Sequence, residues 1–456
     1  MRTRSKPVAL YAPMATLASM VLASVGCGSN DARSSAATPD VATSSSSSTA
    51  TSAPPTGFQL RAVVAVPDNP LKAFDISWVD AASRRYFLAD RSNAGVDVVD
   101  TRTNQFVRRI KGGFAGADPR GNDFSGPNGV VVIRTAIPVD EHGGDRNRRT
   151  RVHELWAGDG PQVLNDNEPA QSSVKVFDLD ADPPARIAVI PTGGERRSDE
   201  IAFDPRDRLI AIVNNADDPP FLSLISTTPP RQVKAKITFA PGSPGFPFPN
   251  QVTGGLEQPL WVEGTGHLYV SVPELDHDST KGAVAQIDPV GSHGSGPRVT
   301  ALFPVSNCAP AGLTLGPGLR LLVGCSDPSR SIVLDARTGK VIKTISGVGG
   351  SDEVWFNPGD QHYYLAARDD PSGPSLGIID ADTNTFLAKV PTAFNAHSVA
   401  ADRRNNHVFV PLTPPRAKTA DPDPCVSFGG ASFTGRGCIG VYFGARGEEE
   451  GEDDDD

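Results

Sequence analysis

Polar side chains open six of the seven short apolar runs that recur along this chain. Aligned on the hairpin that follows each run, the opening residues are Asp75, Asn128, Asp199, Gln258, Ala311, Asp352 and His397. Carboxylates that are crowded together either take up protons or attract a cation. Oxygen ligands of this type suit Ca²⁺ or Mg²⁺, and His397 would also admit Mn²⁺ or Zn²⁺. The pattern predicts one polar site if the seven runs gather about a common axis, and it leaves the ligand open.

The runs belong to larger units that read as four short strands each. In the first unit the predicted strands are Asp75–Val79, Arg85–Ala89, Val96–Val99 and Phe106–Ile110. Hairpins with Asp and Thr in polar turns follow in later units, as in Ser331–Ile345 and Leu376–Val390. These hairpins resemble the YVTN-type and quinoprotein-type propeller repeats. Short strands repeating about every 40 to 70 residues are typical of a radial fold.

The first and last segments of the repeat region together supply the four strands of one unit. The seventh unit supplies only three strands, His397–Ala401, His407–Val410 and Cys438–Phe443, while the segment Leu60–Val66 precedes the first unit as an unassigned strand. Pairing this first strand with the last unit would remove the open edges of the ring. We therefore predict an all-β domain over residues 57–443, a seven-bladed β-propeller closed by its N-terminal strand.

Composition and charge agree with this fold and exclude one class of partner. The chain has 456 residues with Gly 45 and Pro 41, which suits many short strands joined by turns. Its net charge of −10 argues against nucleic-acid binding, which requires a basic face for the phosphates. Part of that charge lies in residues 444–456, which we interpret as a disordered acidic tail. We expect the protein to be a monomer.

Residues 1–27 read as a targeting segment. Arg2, Arg4 and Lys6 precede an apolar stretch, and Ser24-Val25-Gly26-Cys27 resembles a bacterial lipobox. That resemblance implies lipidation of Cys27 and anchoring at the outer face of the membrane or in the periplasm; a plain secretory signal is the alternative. Residues 28–56 are rich in Ser, Ala, Thr and Pro, and we predict a disordered tether there.

The remaining cysteines also favour export. Cys308 and Cys325 lie symmetrically about the turn Gly316-Pro317-Gly318, so an antiparallel hairpin would place them opposite each other. Cys425 and Cys438 flank a Gly-rich insertion that a disulfide would close. We predict two local disulfides, which form in an oxidising compartment.

Five of the aligned residues become neighbours once the ring closes, namely Asp352, His397, Asp75, Asn128 and Asp199. This set is similar to the metal site of the gluconolactonase (senescence marker) family. The resemblance implies one divalent ion with Asn128 and Asp75 as ligands, and Asp199 or Asp352 as general base. Gln258 is a secondary candidate, and Glu200 and Glu353 either add ligands or point between blades. That family is six-bladed, and its glutamate near the first strand is Asp75 here.

Two functions follow from these residues. One is a binding or scaffold module that takes an unknown protein, cation or small molecule at the acidic channel mouth or its loops. The alternative is a metal-dependent lactonase or esterase-like hydrolase, and a divalent ion held by three or more of the inner residues would favour it. Polar residues at such positions also cap loops and hold water in propellers without any chemistry.

Overall fold

The structure is a computed structural model, and it describes residues 57–138, 149–291, 294–327, 330–416 and 423–444. The predicted targeting segment, the tether and nearly all of the acidic tail lie outside these residues. None of the helices in the described ranges is long and apolar enough to cross a membrane. The one α-helix found there is short, α1 (Pro424–Gly429).

Strands account for most of the described chain. In chain order they are β1 (Gln59–Val64), β2 (Ser77–Asp80), β3 (Arg85–Asp90), β4 (Gly95–Asp100), β5 (Gln105–Lys111), β6 (Val130–Pro138), β7 (Arg149–Gln162), β8 (Gln171–Asp178), β9 (Ala185–Pro191), β10 (Ile201–Asp204), β11 (Leu209–Asn214), β12 (Phe221–Ser226), β13 (Val233–Thr238), β14 (Pro259–Val262), β15 (His267–Val272), β16 (Lys281–Asp288), β17 (Arg298–Ser306), β18 (Pro310–Gly316), β19 (Arg320–Cys325), β20 (Arg330–Asp335), β21 (Val341–Ser346), β22 (Val354–Asn357), β23 (His362–Ala367), β24 (Ser375–Asp380), β25 (Thr385–Pro391), β26 (Ala400–Asp402), β27 (His407–Leu412) and β28 (Cys438–Phe443).

These strands form seven sheets of four antiparallel strands, which are the blades of a propeller. Blades 1 to 6 are continuous in sequence, from β2–β5 in blade 1 to β22–β25 in blade 6. Blade 7 contains β26, β27 and β28 in order, with β1 as its outermost strand. Gln59 pairs with Phe443 and Val64 with Ile439, so the N-terminal strand closes the ring as the sequence predicts. The predicted seven-bladed fold is confirmed.

The core lies between neighbouring blades. Trp156 and Val131 of blade 2, for example, pack in one cluster with Ile210 and Ile212 of blade 3. A second strand such as β11 is buried along its whole length, because it is covered on both faces by adjacent blades. In the outer strand β13 only Ile237 is buried, since only one face of the strand packs inward. Burial therefore falls from the second strand of a blade to its outermost strand.

The Asp and Thr of the repeated hairpins hold the turns. In blade 5 the Asp335 carboxylate accepts from the Arg337 and Thr338 backbone amides, and the Thr338 hydroxyl donates to it at 2.9 Å. In blade 6, Thr383 donates in the same way to Asp380 at 2.7 Å. A side chain that replaces backbone partners in a tight turn fixes the register of the hairpin. This part of the repeat motif is structural.

Both predicted disulfides are present. Cys308 bonds with Cys325, which ties the entry to the inner strand of blade 5 to the end of β19. Cys425 bonds with Cys438, which fixes α1 against the start of β28. All four cysteines are fully buried. The first bridge joins the two ends of the β18–β19 hairpin, and the second holds the segment before β28 at the start of that strand.

Candidate functional site

The aligned polar residues lie just before the inner strands rather than within them. Asp75 precedes the first residue of β2 by two positions, and Asp199 and Asp352 precede β10 and β22 by the same spacing. Their backbone amides still donate to the second strand of their own blade, at 2.9 Å to Ala89, 2.8 Å to Val213 and 3.2 Å to Ala366. This hydrogen bond holds the backbone of each aspartate against its own blade, and all three residues line one cavity. Ala311, which lies inside β18, is the exception.

In blade 4 the structural equivalent of these residues is Glu257, one position before the predicted Gln258. The Glu257 amide makes the matching bond to Ser271 at 3.0 Å, and Pro259 is the first residue of the inner strand. The Gln258 side chain instead accepts from the Leu313 amide at 2.7 Å and extends toward Val354 of blade 6. Gln258 thereby links blade 4 with blades 5 and 6.

A cavity of about 180 Å³ lies at this mouth of the channel. It brings together four of the seven aligned positions, Asp75, Asp199, Asp352 and His397, with Glu200 beside them. Charged residues that the sequence did not single out line the same space: Lys72, Arg91, Arg197, Glu257 and Arg368. Asn128 is fully buried behind Arg91 and does not line the cavity. The predicted ring is therefore present in part, and it is mixed in charge.

Arg91 organises the side of the cavity formed by blades 1 and 2. Its guanidinium ion-pairs with Asp75 and also donates to the Asn128 side-chain oxygen at 2.8 and 3.0 Å. The Asn128 amide group in turn donates to the Ser198 carbonyl at 2.8 Å, which links blade 2 to blade 3. Burial alone would raise the pKa of Asp75, but Arg91 and His397 hold it well below the usual value. Asp75 is thus a fixed anion.

Two further arginines neutralise the other aspartates. Arg197 lies 2.7 Å from the Asp199 carboxylate, and Arg368 lies 2.9 Å from that of Asp352. Burial raises the pKa of Asp199 to about 6; Arg197 lowers it, and the neighbouring Asp75 carboxylate raises it further. Each predicted metal ligand of the aspartate type is therefore engaged by a guanidinium.

His397 belongs to the same constellation. Its ring stacks on Phe74 with centroids 4.5 Å apart, and its Nε2 lies 3.4 Å from the Asp75 carboxylate. Nδ1 lies 2.8 Å from the Asn395 carbonyl, which can only accept, so Nδ1 carries a proton. Stacking and this bond hold the imidazole in one orientation at the edge of the cavity.

Glu353 points between blades, one of the two orientations expected for it. It accepts from the Ser398 hydroxyl at 2.6 Å and from the Val399 amide at 2.9 Å, both in the entry segment of blade 7. Burial raises its pKa to about 8 in spite of these donors. Its position behind the mouth indicates a role in holding blades 6 and 7 together.

Two glutamates in the cavity have no such partner. Glu200 is only 4% exposed, and its Oε2 is buried without a hydrogen-bond partner among the described residues. The Glu257 carboxyl likewise makes no side-chain hydrogen bond within the described ranges. Burial raises the pKa of both well above the usual value, and repulsion from nearby carboxylates adds to the effect. Both carboxyls are therefore harder to ionise than an ordinary glutamate.

The described residues do not fit a divalent metal ion. Within them, no group of three or more His, Cys, Asp or Glu side chains is arranged to hold one. The aspartates proposed as ligands face guanidinium groups, and Asn128 directs its oxygen at Arg91. A divalent ion that used these aspartates as ligands would lie at short range from their guanidinium partners, which repel it.

Sequence reasoning missed Glu257 and the three arginines. Arg91 and Arg368 each follow the second strand of their blade directly, after β3 and β23. That shared position is a signal that an alignment extended past the second strand would have found. Arg197 lies in the segment entering blade 3, where no repeated pattern marks it.

Comparison with known proteins leaves this geometry to be interpreted on its own. No protein-family model matches the chain. No curated protein matches it either.

Proposed function

We propose that this chain is an exported, lipid-anchored binding module that takes a small polar ligand, or a polar group of a larger partner, at the channel mouth. One observation carries the proposal: a cavity of about 180 Å³ into which acidic or basic side chains from four of the seven blades converge, together with His397 of blade 7. Propellers commonly use such an axial site, although the fold by itself specifies no ligand.

The chemistry of the cavity supports binding. Its Asp75–Arg91 and Asp199–Arg197 pairs are held in place by burial, and Arg91 is also held by Asn128 of the next blade, so these groups are pre-oriented beside the cavity. Pre-oriented groups lose little conformational entropy when a ligand arrives. The unpartnered Glu200 oxygen would gain a hydrogen bond from a ligand, which removes the cost of leaving a buried polar atom unsatisfied.

Export and lipid anchoring at Cys27 are part of the proposal, and both rest on the resemblance of residues 24–27 to a lipobox. The two disulfides support it, because such bonds persist mainly in oxidising compartments. The metal-dependent hydrolase stays a prediction without structural support, since the aspartates it needs as ligands and base face arginines.

Ligand-induced thermal shifts of the full chain, purified from membranes in mild detergent, test the binding function. The panel consists of small polar compounds: sugars, carboxylates, amines and guanidines. We expect at least one compound to raise the melting temperature saturably, and Asp199→Asn at the mouth to abolish that shift. Glu263→Gln is the matched control, because Glu263 is exposed at the opposite end of the blade 4 inner strand. Failure of every compound, or equal shifts in both variants, would refute the proposal.

A further inference from the structure

An acid–arginine pair is built at the same place in two blades. The acid lies two residues before the first residue of the inner strand, as Asp75 does before Ser77 and Asp352 before Val354. The arginine lies three residues beyond the partner of that first residue, and this rule gives Arg91 after Leu88 and Arg368 after Leu365. Blades 1 and 6 thus neutralise their acids in the same way.

Blade 4 carries the acid of this pair without its arginine. Glu257 lies two residues before Pro259, whose partner in the second strand is Val270. Three residues beyond Val270 the chain has Pro273, which offers neither a charge nor an amide donor. The nearby Arg197 lowers the pKa of Glu257, but its guanidinium is bound to Asp199 at 2.7 Å. Glu257 is left facing the cavity with no cation of its own.

Glu200 provides a second, independent observation at the same place. It lies in the adjacent blade 3, lines the same cavity, and is 4% exposed. Its Oε2 is buried and unpartnered among the described residues, which is costly unless a ligand completes the site. Repulsion from Glu257 is the largest effect of a neighbouring charge on the pKa of Glu200. Both residues line the same cavity, so the two carboxyls form one acidic corner of it.

We propose that this corner binds a cationic nitrogen group, an alkylguanidinium or a primary ammonium, which supplies the positive charge that blade 4 lacks. The inference rests on the proposed binding function and names its ligand class. The cavity of about 180 Å³ holds several water molecules, which is room for a head group and a short stem. The same chemistry is offered by a small free amine or guanidine and by an Arg or Lys side chain of a peptide.

Isothermal titration calorimetry of the full chain tests whether the site recognises a ligand by its positive charge or by its shape. Methylguanidinium and n-butylammonium are the cationic probes, and methylurea is the neutral analogue of methylguanidinium. We expect saturable binding of at least one cation and at least about tenfold weaker binding of methylurea. Methylurea binding as tightly as methylguanidinium, or no binding of either cation, would overturn the inference.

Variants of the corner locate the site. Glu257→Gln and Glu200→Gln should each weaken binding of the cation by about tenfold or more, while Glu263→Gln should leave it unchanged. Pro273→Arg restores the residue found in blades 1 and 6, and we expect the new guanidinium to compete with the ligand and abolish binding. Cation binding that survives both glutamine substitutions would refute this assignment.

Two further measurements identify where the cationic group comes from and distinguish failure of the cation inference from failure of the proposed binding function. Free arginine and a blocked Gly-Arg-Gly tripeptide are compared, and tighter binding of the tripeptide would assign the ligand to a protein side chain. If only sugars or carboxylates bind, and Asp199→Asn abolishes that binding, the cation inference fails and the proposed function stands. If no probe of any class binds, both fail.

Discussion

Arg91 and Asp75 form an ion pair in which the side chains are only 3% and 9% exposed. The pair lies at the wall of the central channel, and Arg91 also holds Asn128 of the next blade. A buried pair of this kind is costly to form but more costly to break, because the surviving partner keeps its charge without compensation. It therefore fixes how blades 1 and 2 meet at the mouth.

Replacing Arg91 should destabilise the fold strongly. Arg91→Met leaves the Asp75 carboxylate buried without its cation, and we expect a loss of about 3–5 kcal/mol in the free energy of unfolding. Arg134→Met is the matched control, since Arg134 is 42% exposed and pairs with Asp80 at the opposite end of the inner strand. Its cost should be at most about 1 kcal/mol. Urea denaturation measures both, and equal losses would contradict this account.

Glu353 should make stability fall as the pH rises. Its pKa of about 8 in the folded protein lies above the ordinary value of 4.5, so the folded state keeps a proton that the unfolded chain releases. Between these pH values unfolding is increasingly favoured, by at most roughly 1.4 kcal/mol per pH unit. Glu353→Gln removes this slope and keeps an acceptor for Ser398. Unfolding free energies at pH 5 and pH 8 test it, and a slope unchanged from the parent would refute it.

Binding of a cation should release protons. Glu200 and Glu257 have pKa values raised well above the usual one in the free protein, and a bound cation favours their ionised forms. We therefore expect affinity to rise with pH, by up to about tenfold per pH unit for each proton released. Titration calorimetry of methylguanidinium in phosphate and in Tris should give different apparent enthalpies. Identical enthalpies in both buffers would mean that neither glutamate changes protonation.

Membrane attachment should depend on one sulfur atom. Cys27 ends the lipobox-like segment, and its lipidation would anchor the chain. We expect Cys27→Ser to move the protein from the membrane fraction to the soluble fraction of cells. Tight membrane association of this variant would contradict lipid anchoring at Cys27 and require another attachment.

Metal content provides a direct test of the hydrolase alternative. Because guanidinium groups occupy the aspartates, we expect the purified full chain to retain far less than one equivalent of Ca, Mg, Mn or Zn after mild dialysis. Elemental mass spectrometry measures this. A retained equivalent that is lost in an Asp199→Ala/Asn128→Ala double variant would restore the metal-dependent hydrolase and justify a screen of lactones and esters.

The fold could be predicted from the sequence because its signals are local. The Asp and Thr of each hairpin contact one another within a few residues, as Asp335 and Thr338 do, and this short-range motif recurs from blade to blade. Closure by the first strand followed from counting three strands in the last unit. The disulfide between Cys308 and Cys325 followed from their symmetry about a turn.

The site could be predicted only in part because its contacts are long-range. Arg91 meets Asn128 from another blade, and nothing in the spacing of these two residues indicates the hydrogen bond between them. The predicted register of blade 4 is wrong by one residue, since it places Trp261 at the position of Trp78 of blade 1. In the structure Trp78 is the second residue of its strand and Trp261 the third. A shift of one residue moves a side chain to the other face of a strand, and here it concealed Glu257.

Closure of blade 7 by β1 places Gln59 beside Phe443 on neighbouring strands. The chain therefore enters and leaves the propeller at one blade, and the ring of sheets has no obligatory starting point. A circular permutant that joins these two ends and opens in the loop between β13 and β14 would keep every sheet intact. Packing between neighbouring blades therefore constrains their order around the axis, but it does not dictate which blade comes first along the chain.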